Sequence, residues 1–434
     1  MDSDSSSLRK LFGPVQLLGA GLFCLLLGLF LGNKLISAGH VFLILGVVGF
    51  VYKSGWNKIR WNGISSGKVP RSTICLGLFL VLSILSILVN WSLIEDPLEH
   101  LKKLRHFVLF LVLLAFSGLV VTVVEDVQRR NRLVAAWLIP MVLTIGIGIY
   151  ALWKGEHPFR EEEVADISRL SGIYGQVMTF AYGLQFTVIA LAVFFLSPGL
   201  WKRMTTIPWW VVIIALPIAG LGMYLTYTRG AMLGVVVGFT TYGMLRSRWL
   251  VVLVLFLGIL AGGFAYSQKA RYFKSNNSVR VNQWKVASLS FLERPMFGLG
   301  YRNFELQSVE LKKRYGFEED RRRKVEGGGR ERYYFQGHAH NNYLEAFAST
   351  GIFGGLSFLG FCYFWVAETV RSRYRILFLP LVLAFLVSGF FECTFFDSEV
   401  LNAVLVIYLF SWILYAREGA GETEPTPLSH PPSA

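Results

Sequence analysis

The chain has 434 residues, 54% of them hydrophobic and 16% charged, against the roughly 25% charged residues usual in soluble domains. Its apolar residues come in long uncharged runs, which excludes a string of soluble domains and points to an all-α polytopic membrane protein. Lys plus Arg outnumber Asp plus Glu by 42 to 28, a net charge of +14. Where the excess sits decides whether it addresses nucleic acid, anionic lipid or only membrane topology.

Runs near the roughly 20 residues needed to cross the hydrocarbon core fall at 11–32, 35–52, 73–94, 107–124, 133–153, 174–196, 207–225, 230–245, 249–266, 346–367, 376–396 and 400–416. The expectation is therefore about 12 transmembrane helices with both termini on one side. The first run is long and has no small-residue cleavage site, so it reads as a span rather than a signal peptide. Cys24, Cys75, Cys362 and Cys393 all lie inside apolar runs, without metal-type spacing, and read as buried small hydrophobes.

Loop charges orient the chain. With the N-terminus cytoplasmic, 18 basic residues fall in cytoplasmic segments and 8 in the short loops opposite, the asymmetry expected of an inner-membrane protein with cytoplasmic termini. Four parts follow: helices 1–9 over 1–266, a large periplasmic loop over 267–345, helices 10–12 over 346–416, and a disordered cytoplasmic tail over 417–434. The 79-residue loop is too long for an ordinary connection and carries 16 basic residues, which marks it as functional. Its aromatic content predicts folding, apart from polar stretches at 269–278 and 318–332. Gly230, Gly234 and Gly238 form a small-xxx-small series that suits close helix packing.

Four segments hold the chemistry. Arg229 opens a glycine-rich helix; a guanidinium beside a helix N-terminus makes an anion site, the alternative being a snorkelling interface arginine. Arg280 precedes Pro295-Met-Phe-Gly298-Leu-Gly300-Tyr-Arg302-Asn303, whose glycines suggest a tight turn or close backbone approach. Arg169 leads into the sixth span. The loop closes on His338-Ala-His340-Asn341-Asn342-Tyr343-Leu344-Glu345, where a histidine of near-neutral pKa could act as general base and Asn341 or Asn342 could fix its tautomer. A rival reading makes the two histidines a metal half-site completed by Glu345 or Glu331. No second His or Cys cluster stands outside the membrane to finish a tetrahedral shell, so no metal and no cofactor are expected.

In this order, Arg-Leu-Ser-Gly at 169–172, Thr-Arg-Gly-Ala at 228–231, Pro-x-x-Gly-x-Gly-x-x-Asn-Phe at 295–304 and His-x-His-Asn-x-Tyr-Leu-Glu at 338–345 resemble the O-antigen ligase and O-antigen polymerase superfamily of bacterial inner membranes. The resemblance spans roughly 165–365 and favours ligase-type members through Tyr174-Gly-Gln-Val-Met178-Thr179. It implies a GT-C-like transferase that moves a glycan from undecaprenyl diphosphate to a sugar hydroxyl of lipid A core on the periplasmic side. His340, with His338 as rival, then corresponds to the base. Arg229 and Arg280 correspond to the diphosphate-holding arginines, Arg169 is a looser match and Arg302 is chosen from charge and position. Asn341, Tyr343 and Asn303 would support the site. Membrane lipids are further partners and nucleic acid is none. An O-antigen polymerase or a protein O-oligosaccharyltransferase of the same superfamily is the alternative. A transporter is a remote one, because the spans hold few ionisable residues beyond Glu392.

Overall fold

The computed structural model describes residues 13–54, 69–159, 169–174, 176–247, 249, 251–252, 277–317, 322–324, 330–332 and 337–419. Helix follows helix: α1 (Pro14–Leu31), α2 (Asn33–Ser54), α3 (Arg71–Val89), α4 (Pro97–Lys103), α5 (Arg105–Ala115), α6 (Ser117–Glu125), α7 (Val127–Lys154) and α8 (Val177–Leu196). After them come α9 (Pro198–Met204), α10 (Trp210–Leu225), α11 (Arg229–Arg246), α12 (Asn277–Glu293), α13 (Asn303–Arg314), α14 (Asn342–Arg371), α15 (Arg375–Ser388) and α16 (Ser398–Gly419). The one departure from an all-α fold among the described residues is a short antiparallel hairpin, β1 (Arg322–Lys324) with β2 (Arg330–Arg332). It lies inside the polar run expected to be unstructured; the rest of that run, 269–276 and the tail from 420 are outside the described residues.

Among the described residues seven helices are long and apolar enough to cross a membrane, or up to eight if a bent pair counts as one span. The chain is thus a multi-pass membrane protein, but the expected twelve spans are not all single full-length helices. The run 107–124 breaks at Phe116, where Pro97–Ala115 and Ser117–Glu125 bend by 76°. The runs 207–225 and 376–396 yield helices of only 16 and 14 residues, and 249–266 falls almost wholly outside the described residues. In 376–396 the reason is chemical. Phe395 and Phe396 lie beyond the helix end in an aromatic cluster with Phe79, Phe107, Phe361 and Tyr301, so apolar residues that read as a span instead pack a loop onto α3, α5 and α14.

Helix α8 is the hub: 83% of its spanning window is buried inside the protein, so most of its surface faces other helices rather than lipid. It packs against α10, α11 and α15. The glycine series on α11 makes that approach possible. A Cβ on Gly234 would stand 2.5 Å from Gln185 Oε1, and one on Gly238 2.7 Å from Ile189 Cδ1, both on α8; the series serves helix packing, as its spacing suggests.

The Pro295–Asn303 stretch docks on a break in α14. Gly351 has φ 70°, a left-handed conformation inside an otherwise helical element that favours glycine. Around it the main chains of the two segments bond directly. Ile352 N donates to Pro295 O at 2.7 Å, Leu299 N to Ala348 O at 2.9 Å and Gly300 N to Ser349 O at 3.0 Å. This crossing fixes the large loop to the first turns of α14, where the histidine motif ends.

Candidate active site

Asn341 caps α14. Its Oδ1 accepts from Tyr343 N and Leu344 N at 2.9 and 3.0 Å, satisfying two of the orphan amides of the first turn. The two histidines therefore sit just outside a helix end. His340 takes φ 50°, uncommon for a residue with a Cβ, and this turn sets its ring 4.4 Å from that of His338, centroid to centroid.

Both rings meet Glu392. His340 Nδ1 lies 2.9 Å from Glu392 Oε1, and His338 Nε2 bonds the same oxygen. Cys393 N also donates to it, at 3.1 Å, so the carboxylate is aimed by its own backbone. Burial favours the neutral acid, but His340 and His338 outweigh it and hold Glu392 well below the usual carboxylate range. Burial likewise disfavours a charged His338; the charge and hydrogen bond of Glu392 overcome this and push it up to about 9. His338 is then an imidazolium at neutral pH. His340 presents Nδ1 to that same Glu392 oxygen, and its Nε2 has no hydrogen bond among the described residues.

Glu392 is the member that sequence reasoning did not place in the site. The tautomer partner is this carboxylate and neither of the two asparagines expected. Asn341 is committed to the helix cap and, through Nδ2, to Phe390 O at 3.3 Å. Asn342 bonds Thr394 Oγ1 at 2.8 Å and accepts from Phe395 N at 2.9 Å, which ties the histidine motif to the Glu392 loop from below. Tyr343 donates to Leu386 O at 2.8 Å and tilts onto Phe390. Glu345 points elsewhere: it accepts from Ala339 N at 2.9 Å and Ser349 Oγ at 2.8 Å. The third possible metal ligand beside the histidines is thus Glu392 rather than Glu345, and Glu331 lies in β2.

The arginines approach from other helix ends. Arg229 is the first residue of α11 and exposed. Its preceding turn is held by Arg169, whose Nε donates to Thr226 O at 2.9 Å and Nη2 to Thr228 Oγ1 at 3.0 Å. Beneath, Tyr182 on α8 packs its hydroxyl against Gly230. Arg280 lies on α12 one turn before Gln283, which donates to Gly337 O at 3.2 Å, at the door of the histidine motif; residues three apart share a helix face. Arg302 has φ 59° and pairs with Glu305 at 3.6 Å. Asn303 is buried and its amide closes the turn by donating to Leu299 O at 3.0 Å. Arg169 and Asn303 therefore secure backbone turns in this structure.

A multi-pass helical membrane protein with a His–Glu–His cluster, and with arginines in the first turns of α11 and α12, is the class that fold and site define. Residues 210–359 match the family model described as O-Antigen ligase, and this match supports the O-antigen ligase superfamily for the stretch carrying Arg229, Arg280, His338 and His340. Members of that family are glycosyltransferase-like enzymes, which supports an enzymatic role. No curated protein matches the chain.

Proposed function

We propose that the protein is an O-antigen ligase of the inner membrane, transferring a glycan from undecaprenyl diphosphate to a sugar hydroxyl of lipid A core at the periplasmic face. The observation that carries the reading is Glu392 Oε1 at 2.9 Å from His340 Nδ1. A carboxylate on Nδ1 fixes the tautomer whose Nε2 bears the lone pair and stabilises the imidazolium that forms when that lone pair takes a proton. His340 is therefore the base. His338, charged through Glu392, has no lone pair to offer and serves as a cation beside it.

The chemistry needs little else. The acceptor hydroxyl gives its proton to His340 Nε2 while its oxygen attacks the anomeric carbon; the bond from that carbon to the diphosphate oxygen breaks, and undecaprenyl diphosphate leaves with the negative charge. Attack opposite the leaving group inverts the anomeric centre. Arg229 at the N-terminus of α11 and Arg280 on α12 suit a diphosphate, since each guanidinium forks onto phosphate oxygens and the free amides of a helix end add to the field. With cationic side chains in that role the transfer needs no metal. Arg169 acts through the 226–228 turn, and Arg302 carries its own counterion in Glu305, so we assign it to the loop rather than to the diphosphate.

The test is a reconstituted transfer assay with two acceptors, lipid A core and a second lipid-linked repeat. Glycan on the core is expected. Growth of the lipid-linked repeat instead would make the protein a polymerase, and absence of transfer from the diphosphate to either would overturn the reading.

A further inference from the structure

We propose that His338, His340 and Glu392 also form a binding site for a divalent cation of the zinc class, and that the bound ion switches the transferase off. The inhibitory half rests on the function proposed above; the binding half does not.

One ligand atom from each residue lies within 4.8 Å of the others. Metal–ligand bonds of about 2.0–2.2 Å place the ligands of a tetrahedral ion roughly 3.3 Å apart, so small rotations of side chains already gathered on one oxygen would bring all three onto one ion. A second observation points the same way. Glu392 Oε2 is buried and has no hydrogen-bond partner among the described residues, an idle acceptor where an unmet one is costly; it is the oxygen a cation would use or share with Oε1. The His338 side chain is 34% exposed, which gives the ion a way in and leaves a coordination position open. Two imidazoles and one carboxylate suit zinc, copper or nickel, whereas magnesium and calcium require shells made of oxygen.

Occupancy would disable the base by a definite route. With a metal on Nδ1 of His340, the single proton of the neutral imidazole must move to Nε2, the atom that has to accept the proton of the sugar hydroxyl. The same three residues thus have two states. With protons between them, Nε2 is basic; with a metal between them, Nε2 is a donor and transfer stops.

The experiment uses untagged full-length protein in detergent, dialysed against zinc and analysed for bound metal. One zinc per chain is expected, weakened at least tenfold in His338→Ala and in Glu392→Gln but unchanged in Arg229→Lys. Zinc that stays bound to the first two variants overturns the site. Should those variants not fold, the wild-type protein answers the question: zinc should protect His338 and His340 from carbethoxylation, read by peptide mass, and equal modification with and without zinc overturns it. In the transfer assay zinc should inhibit, EDTA should restore the rate, and magnesium or calcium should do neither. Stoichiometric zinc binding with undiminished transfer overturns the inhibitory half alone, and an inactive zinc-free wild type counts against the proposed function and leaves the metal result standing.

Discussion

His340 and Glu392 are 52 residues apart in sequence and 2.9 Å apart in space, with α14 and α15 between them. Their pairing turns a histidine motif into an oriented base, because a ring free to choose its tautomer would present a usable lone pair only part of the time. General-base catalysis contributes typically about 10²–10⁴-fold. His340→Ala should lose that whole factor, and Glu392→Gln, which keeps shape but removes the charge that stabilises the imidazolium, a large part of it. Single-turnover transfer rates check both; a rate in Glu392→Gln equal to wild type would dismiss the carboxylate from the mechanism.

Arg229 and Arg280 predict a different signature. A lysine keeps the charge but cannot fork onto two phosphate oxygens. Arg229→Lys and Arg280→Lys should each lower transfer about tenfold or more, or roughly 1.4 kcal/mol of lost stabilisation of the leaving group. Rates measured at saturating donor separate this from weaker binding, and full activity in Arg229→Lys would reduce Arg229 to an interface anchor.

The histidines and Arg229 were legible in the sequence because each announces itself locally, as an unusual pair or as a cation in a short loop. Glu392 was visible as an acid in an apolar run but could not be assigned, since its partner depends on how the 389–397 loop folds back on α14. The demand for a partner was the available signal: a buried carboxylate must find a cation or a donor, and the two histidines were the nearest unclaimed candidates. Span boundaries misled for a related reason. Composition does not tell an aromatic facing lipid from one filling a core, so Phe395 and Phe396 read as membrane where they are packing. The rings of His40 and His106 meet edge to face at 4.8 Å between α2 and α5, a contact no local pattern encodes.

The His338–Glu392 pair makes stability depend on pH. In the folded protein His338 is raised to about 9, from about 6.5 in an unfolded chain. Its contribution is therefore fully present below about pH 6.5 and lost as pH rises through 9. Glu392 is held low when folded, so its share is present above the ordinary glutamate range and lost only as pH falls toward the depressed value. Thermal unfolding in detergent should show a midpoint that declines between about pH 6.5 and 9, a decline much reduced in Glu392→Gln. An equal slope in both proteins would place the titration elsewhere.

Gly351 tests whether the crossing at 295–300 holds the site together. Its φ of 70° lies where L-residues rarely go, and a Cβ there would collide with the carbonyl of Met296; backbone of this kind cannot swing aside as a long side chain can. Gly351→Ala then meets two penalties, a conformational one of about 1–3 kcal/mol and the cost of parting the Ile352–Pro295 and Gly300–Ser349 bonds. Gly220, by contrast, has nothing within 4 Å of its Cβ position and lies within α10, where alanine is the better helix former. Gly351→Ala should reduce the yield of folded protein and lower the unfolding midpoint by several degrees, while Gly220→Ala should leave both equal or higher. Because the break in α14 lies about three turns from His340, activity per folded molecule should fall in the first variant and not in the second; equal specific activity would show that the crossing carries stability alone.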